Sequence, residues 1–141
     1  MRLPKLLILP FVFTLACVGP PEPIDGLIED LPAVVSTENV FSFSLKGNRF
    51  TFDERFILAL KLDSTSVLNT TLTVTDFTSN DTVFITVKNQ VDSVLNYWEV
   101  TSNWVEVRVD SLSSDASLYP KKVFFRGQDF KGVLQYLLVK K

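Results

Sequence analysis

From Val40 onward the apolar residues recur every second position, and a period of two is the mark of a half-buried strand. Phe41, Phe43 and Leu45 alternate with Ser42, Ser44 and Lys46. Gly47-Asn48 then reads as a tight turn, because both residues tolerate positive φ. Phe50 and Phe52 resume the alternation, which predicts a hairpin over Phe41 to Phe52. Phe56, Leu58, Leu60 and Leu62 alternate with Ile57, Ala59 and Lys61, a strand apolar on both sides and so expected at the centre of a sheet. Leu68 to Val74 mixes Leu and Val with threonines, which suits a strand with one wet face. Val83, Ile85 and Val87 mark the next strand. Val105, Val107 and Val109 mark another, whose expected core side is the valine side, leaving Trp104, Glu106, Arg108 and Asp110 outward.

Gln90 to Tyr97 is open to two readings, since Val91, Val94, Leu95 and Trp98 have helical spacing. Ser111 to Tyr119 is a polar loop closed by Pro120. Lys122 to Arg126 reads as a short strand, Gly127-Gln128-Asp129 as a turn, and Phe130 to Val139 as a closing strand, with a helix as the alternative for the last. Short strands at about ten-residue spacing define an all-β chain. The expected fold is a single antiparallel β-sandwich, Ig-like or jelly-roll-like, of about eight strands, with a small β-barrel as the alternative.

The first forty residues follow other rules. Arg2 and Lys5 precede an apolar run from Leu6 to Leu15, and Ala16-Cys17 ends it. A basic start, a short apolar core and a small residue at the cut describe a secretory signal. With the chain's one cysteine at that cut, Thr14-Leu15-Ala16-Cys17 resembles a bacterial lipoprotein signal. The resemblance implies removal of residues 1–16 and lipidation of Cys17. An ordinary signal cut near Ala16 and an uncleaved anchor are the alternatives, the latter short of the ~20 apolar residues a span needs. Pro20, Pro21, Pro23 and Pro32, among Glu22, Asp25, Glu29 and Asp30, forbid regular structure and keep the segment solvated. Residues 17–36 are therefore expected as a lipidated Cys and Pro-rich acidic tether, and residues 37–141 as the folded domain. Ile24, Leu27, Ile28 and Leu31 are the tether's apolar residues, able to dock on the domain or a partner.

Composition narrows the chemistry. The chain has 141 residues, no histidine, one cysteine and a net charge of −2. Without histidine, and with Cys17 committed to lipid, the usual zinc sites and Ser-His or Cys-His pairs are missing their parts. No phosphate-binding glycine loop and no G-x-S-x-G occurs. The acids Asp53, Glu54, Asp76 and Asp81 lack calcium-loop spacing, so no metal, no cofactor and no enzymatic activity are expected. A mildly acidic chain offers no basic block for phosphates, and nucleic acid is not an expected partner.

Two sets of candidate residues remain. Asp63-Ser64-Thr65, Asp81-Thr82-Val83, Asp92-Ser93-Val94 and Asp110-Ser111-Leu112 share the order Asp, hydroxyl residue, then Thr or an apolar residue. That order is similar to the O-glycosylation site of exported Bacteroidota proteins, which implies Ser64, Thr82, Ser93 and Ser111 as acceptors; Asp-Ser turns explain the same pattern. The second set is Tyr97, Trp98, Trp104 and Arg108, aromatic and cationic residues typical of contact hot spots. Trp104 with Tyr97 or Trp98 could stack on a sugar, or Trp104 could cover a sheet edge. The F-x-F-x-x-x-G run from Phe41 to Gly47 and the closing strand resemble small β-sandwich lipoproteins of Bacteroidota. The function expected is a membrane-anchored, non-enzymatic binding or accessory lipoprotein of the cell envelope, on the outer membrane, engaging a protein complex. The alternative is a carbohydrate-binding surface lipoprotein using exposed aromatics, with a glycan as ligand.

Intact mass of the full chain recovered from bacterial membranes tests the first seventeen residues. The expected product starts at Cys17 and carries acyl chains, and Cys17→Ala abolishes both. An unacylated product cut near Ala16 defeats the anchor.

Overall fold

The computed structural model describes residues 26–141; the signal and Cys17 lie outside the described residues. Among the described residues seven strands run in order: β1 (Ala33–Ser36), β2 (Val40–Ile57), β3 (Val67–Thr75), β4 (Val83–Lys88), β5 (Val94–Val100), β6 (Trp104–Ser111) and β7 (Lys122–Lys140). One 3₁₀ turn, Ala116–Leu118, precedes β7. Every strand pairing is antiparallel.

The frame is the pairing of the two long strands. β2 and β7 run side by side from Val40↔Val139 to Ile57↔Lys122. Midway the register slips twice, between Asn48 and Phe50 and between Phe50 and Phe52. Arg49 (φ 64°) and Asp129 (φ 47°) take left-handed backbone there, and the Arg49 Nε donates to Asp129 Oδ1 at 2.9 Å. Such bulges bend and twist a strand pair. The bend lets one pair of strands serve both layers of a sandwich. On one side of it, the first half of β2, Val40–Asn48, and the second half of β7, Phe130–Lys140, lie in a sheet ordered β1-β2-β7-β3-β6. The other halves, Phe52–Ile57 and Lys122–Gly127, are extended by β4 and β5. The sheet is open, with β1 and β6 at the ends of the long path, so the barrel alternative does not hold.

The layers meet through aromatic rings. Phe43 of the first stacks on Phe125 of the second at 4.1 Å between centroids, 10° from parallel. Phe56 leans on Phe41 and Phe43 at 5.6 and 5.8 Å, and Trp98 meets Tyr136 edge-on at 5.8 Å. Leu45, Leu72, Val74, Ile85 and Leu134 fill the rest without exposure. A buried Phe contributes about 1.5–3 kcal/mol, and a ring pair about 0.5–1.5 beyond its area, so this cluster is the chief source of cohesion between the layers.

Several expectations change here. Gly47-Asn48 is not a hairpin turn, nor does Gly127-Gln128-Asp129 reverse the chain. Both sit inside continuous strands, at the bend. Gly47 is required by space instead: a Cβ would lie 2.5 Å from Phe130 Cδ1 and 2.8 Å from the Phe130 carbonyl oxygen. Merging these pieces is why seven strands replace the expected eight. Residues 58–62 are not a central strand. Leu58 and Leu60 are buried under an irregular segment, while Ile57 and Ala59 face water. The ambiguous Gln90 stretch opens not with a helix but with a turn held by buried Asn89, whose Oδ1 accepts from Val91 N and Ser93 N while its Nδ2 donates to Ser117 O. Residues 33–36, read as tether, form β1 on the edge of β2; Leu27 is buried and Asp30 N donates to Lys46 O at 2.7 Å. The folded part thus includes Leu27.

Gly47→Ala is expected to cost several kcal/mol, the range of overpacking and backbone displacement combined. Urea unfolding measures it, and a loss under 1 kcal/mol would show that Phe130 can move aside.

Candidate functional site

The outer face of the second layer carries the candidate site. On β4 the odd residues Val83, Ile85 and Val87 point inward, which turns Phe84, Thr86 and Lys88 out. On β7 Val123, Phe125 and Gly127 point inward and Phe124 and Arg126 out. On β5 Trp98 and Val100 point inward and Tyr97 and Glu99 out. Cross-strand register sets these side chains in rows. Asp53, Arg126, Phe84 and Glu99 form one; Arg55, Phe124, Thr86 and Tyr97 form the next.

The result is an open groove of about 520 Å³ bordered by Arg55, Phe84, Lys88, Tyr97, Phe124 and Arg126, with Asp53 and Thr86. Phe84 and Tyr97 stack at 6.1 Å, 27° from parallel. Lys88 Nζ lies 4.9 Å from the centre of the Phe124 ring and the Arg55 guanidinium carbon 5.7 Å. Ring faces attract cations, so Phe124 holds two long basic side chains near the groove floor. Apolar rings ringed by donors and cations can take a flat, hydroxylated ligand: its C–H face lies on the rings while its oxygens meet the charged rim.

A second cluster lies between β5 and β6. The Trp98 indole is 6 % exposed, and its buried N–H needs an acceptor. Glu106 supplies it: Oε2 accepts from Trp98 Nε1 at 2.9 Å and from Trp104 Nε1 at 3.3 Å. Glu106 Oε1 pairs with Arg108 at 3.2 Å; Arg108 also donates to Asn96 and stacks 5.6 Å over the Trp98 ring. This reverses the expected orientation of β6. Glu106, Arg108 and Asp110 turn inward and half-bury, while Val105, Val107 and Val109 stand 72, 68 and 65 % exposed. The acceptor demanded by a buried indole outweighs the burial of valines on a strand with a neighbour on one side only.

The four candidate contact residues are thus divided. Tyr97 is exposed in the groove. Trp98 and Arg108 form a capped stack facing the interior, and Trp104, 41 % exposed, shares their carboxylate. Trp104 and Tyr97 lie on different faces and do not form one platform. Phe84 and Phe124 belong to the groove but escaped the sequence reading. Phe84 sits at the wet parity of β4, with Thr86 and Lys88, and an aromatic at wet parity was the available signal. Phe124 lies within Val123-Phe124-Phe125, where apolarity on both sides hid which ring faces out.

The Asp-Ser/Thr positions are turn or strand-end residues. Ser64, Ser93 and Ser111 are exposed and Thr82 is half-buried. Hydrogen bonds from the Thr65 hydroxyl, the Thr65 N–H and the Ser66 hydroxyl hold the Asp63 carboxyl down at about 2. Lys122 beside Asp92 lowers that carboxyl as well. Among the described residues no three His, Cys, Asp or Glu side chains gather as a metal site.

Fold and site together define an antiparallel β-sandwich with an aromatic, cation-rimmed outer face. No family model matches the chain, and no curated protein matches it. Among solved structures it is similar to "Family 16 Carbohydrate Binding Module-2", at 15 % identity and a TM-score of 0.36 over 72 % of this chain and 76 % of that one. It is also similar to the infectious bursal disease virus VP2 subviral particle, at 11 % identity and a TM-score of 0.31 over 78 % of this chain and 32 % of that one. Likenesses at those values carry no weight for ligand or mechanism.

Beneath Trp98, the Tyr136 hydroxyl is buried with no hydrogen-bond partner among the described residues, and burial raises its pKa above the usual 10.0. An unpaired buried hydroxyl costs free energy. Tyr136→Phe is therefore expected to raise unfolding stability by about 1 kcal/mol near neutral pH. The unfolded chain releases this proton near pH 10 and the folded chain does not, so the native protein loses stability as pH rises above about 10. The variant should lose stability less steeply there. A destabilised variant in denaturant titrations would mean the hydroxyl is paired.

Proposed function

We propose that this protein is a non-catalytic binding module that takes a glycan across the groove of Phe84, Tyr97 and Phe124. The observation that carries the reading is the stacked Phe84–Tyr97 pair set beside Phe124 on an open sheet face, within reach of Arg55, Lys88 and Arg126. A core ring has no reason to stand outward in company with charges; a sugar-facing ring does. Three cations against one acid, Asp53, line this groove in a chain of net charge −2. That local excess favours an acidic glycan, one bearing carboxylate or sulfate groups, because Arg recognises such groups through paired N–H donors.

In this reading the envelope setting also stands as a proposal. Cys17 supplies a lipid anchor, more than one acyl chain makes the attachment stable, and the sandwich presents the groove to glycans at the membrane surface. The rings provide affinity for the sugar face, the cations select charge, and no bond is made or broken.

Calorimetric titration of the full chain against uronate-containing, sulfated and neutral polysaccharides tests this. Binding to an acidic polysaccharide is expected. Tyr97→Ala and Phe124→Ala should each weaken it by about tenfold, in line with a hot-spot residue of 1–2 kcal/mol. Arg126→Gln should weaken binding at low salt and flatten its salt dependence. Binding that survives both aromatic truncations, in variants with unchanged melting temperature, overturns the assignment of the groove. Preference for neutral over acidic polymers overturns the charge selection alone.

A further inference from the structure

The outer edge of the first layer is an open strand edge. β6 ends the strand order, and β3 is its one hydrogen-bonded neighbour among the described residues. Its other edge therefore presents a row of unpaired peptide groups, the feature that templates pairing with another strand. Charges along an edge discourage pairing unless the incoming strand matches them; here Glu106, Arg108 and Asp110 lie on the inner side of β6 and three valines stand exposed in a row on the other.

We propose that two copies of this chain join β6 to β6 antiparallel, about a two-fold axis at Val107. The register follows from the side chains. An antiparallel pairing centred on Val107 sets Glu106 opposite the partner's Arg108, and Arg108 opposite the partner's Glu106. It sets Val105 opposite the partner's Val109. Trp104 then lies opposite the partner's Asp110. Opposite charges directly across a sheet stabilise it and like charges oppose it. A pairing centred on Glu106 or on Arg108 puts two carboxylates or two guanidinium groups face to face. Val107 is the centre at which charge and apolarity both match.

The side chains are already held for it. The Glu106–Arg108 pair at 3.2 Å is fixed by Trp98, Trp104 and Asn96, so the inner row enters the pairing in one arrangement. Across the axis it becomes an alternating row of four charges. The outer row becomes six adjacent valines, which removes apolar surface from water. Such a contact is isologous and closes at two copies. One strand from each copy makes an interface at the small end of specific contacts, so the dimer is reversible and concentration-dependent. The groove of Phe84, Tyr97 and Phe124 lies on the other layer, and pairing leaves it open.

Sedimentation velocity on the full chain over about a hundredfold range of concentration reads the association, and single cysteines in a Cys17→Ser background read the register. Residues directly opposite have Cα atoms about 4.5–5.5 Å apart, within disulfide reach. Val107→Cys is therefore expected to cross-link to itself with oxidised glutathione. Val105→Cys and Val109→Cys alone should not, since each lies about 13 Å from its own copy, but the two mixed together should. Val107→Lys sets two cations on the axis at a position already exposed. It should shift the dissociation constant at least tenfold and leave the melting temperature and polysaccharide binding unchanged. A wild-type chain that stays monomeric throughout, equal cross-linking at all three positions, or a dimer indifferent to Val107→Lys each overturns the proposal, the last two pointing to another surface.

Discussion

Everything in this fold depends on two long strands bending together. β2 and β7 stay paired through the bend because their irregularities fall at the same level: Arg49 and Asp129 both take left-handed backbone there and pair with one another. Gly47 packs so closely against the Phe130 ring and carbonyl that only hydrogen fits on its Cα. A bend in one strand alone would tear the ladder; a shared bend carries the ladder into the second layer. The sandwich thus has a covalent and hydrogen-bonded hinge between its layers, and the stacked Phe43 and Phe125 sit inside it, one from each side. The salt bridge itself is exposed and worth little. Its backbone geometry, enforced by packing on both sides, is what matters.

The layers then impose a choice on β5 and β6. Trp98 must enter the core to meet Tyr136, and its indole N–H arrives without a backbone partner. A carboxylate on the facing strand satisfies it, an arginine neutralises the carboxylate, and an asparagine holds the arginine. Four residues are thereby bound into one network in which each partner's removal strands another. The consequence appears on the opposite side of β6, where alternation leaves three valines with nothing to cover them. A polar requirement in the interior has produced an apolar stripe outside.

The period-two pattern was enough to show an all-β, antiparallel chain, and β3, β4 and β6 fall where alternation puts them. What alternation could not show was continuity. Gly47-Asn48 and Gly127-Gln128-Asp129 carry the chemistry of turns, and a bulge uses the same residues for the same left-handed backbone. Only the partner strand, eighty residues away, distinguishes a chain that bends from one that reverses. The polarity of β6 was hidden for a related reason. Valines at alternate positions ordinarily mark the core side, and the rule fails when a buried indole needs an acceptor from that strand. Of the candidate contact residues, Tyr97 stands in the groove, while Trp98 and Arg108 stand inside the network. Phe84 was legible as an aromatic at the wet parity of β4, whereas Phe124 could be recognised only once its neighbours in the row, Thr86 and Tyr97, were known.

The two surfaces answer different constraints, and that separates their meanings. Phe84 and Phe124 stand outward although the strands beneath them are central in their layer, with β4 and β7 paired on both sides, and Tyr97 joins them from the neighbouring edge strand β5. Nothing in the packing asks for aromatics there, since threonine at Thr86 meets the same backbone demand. Lys88 and Arg55 lie against Phe124, trading full hydration for contact with a ring. Such an arrangement gains when a ligand replaces the water over the rings. The valines of β6 are different. They follow from the Trp98 network and would stand outward in a monomer with no partner at all. Their exposure alone therefore says little; what distinguishes an edge suited to pairing from one merely left bare is that Glu106 and Arg108, already held by the network, are also complementary to each other across a two-fold axis at Val107.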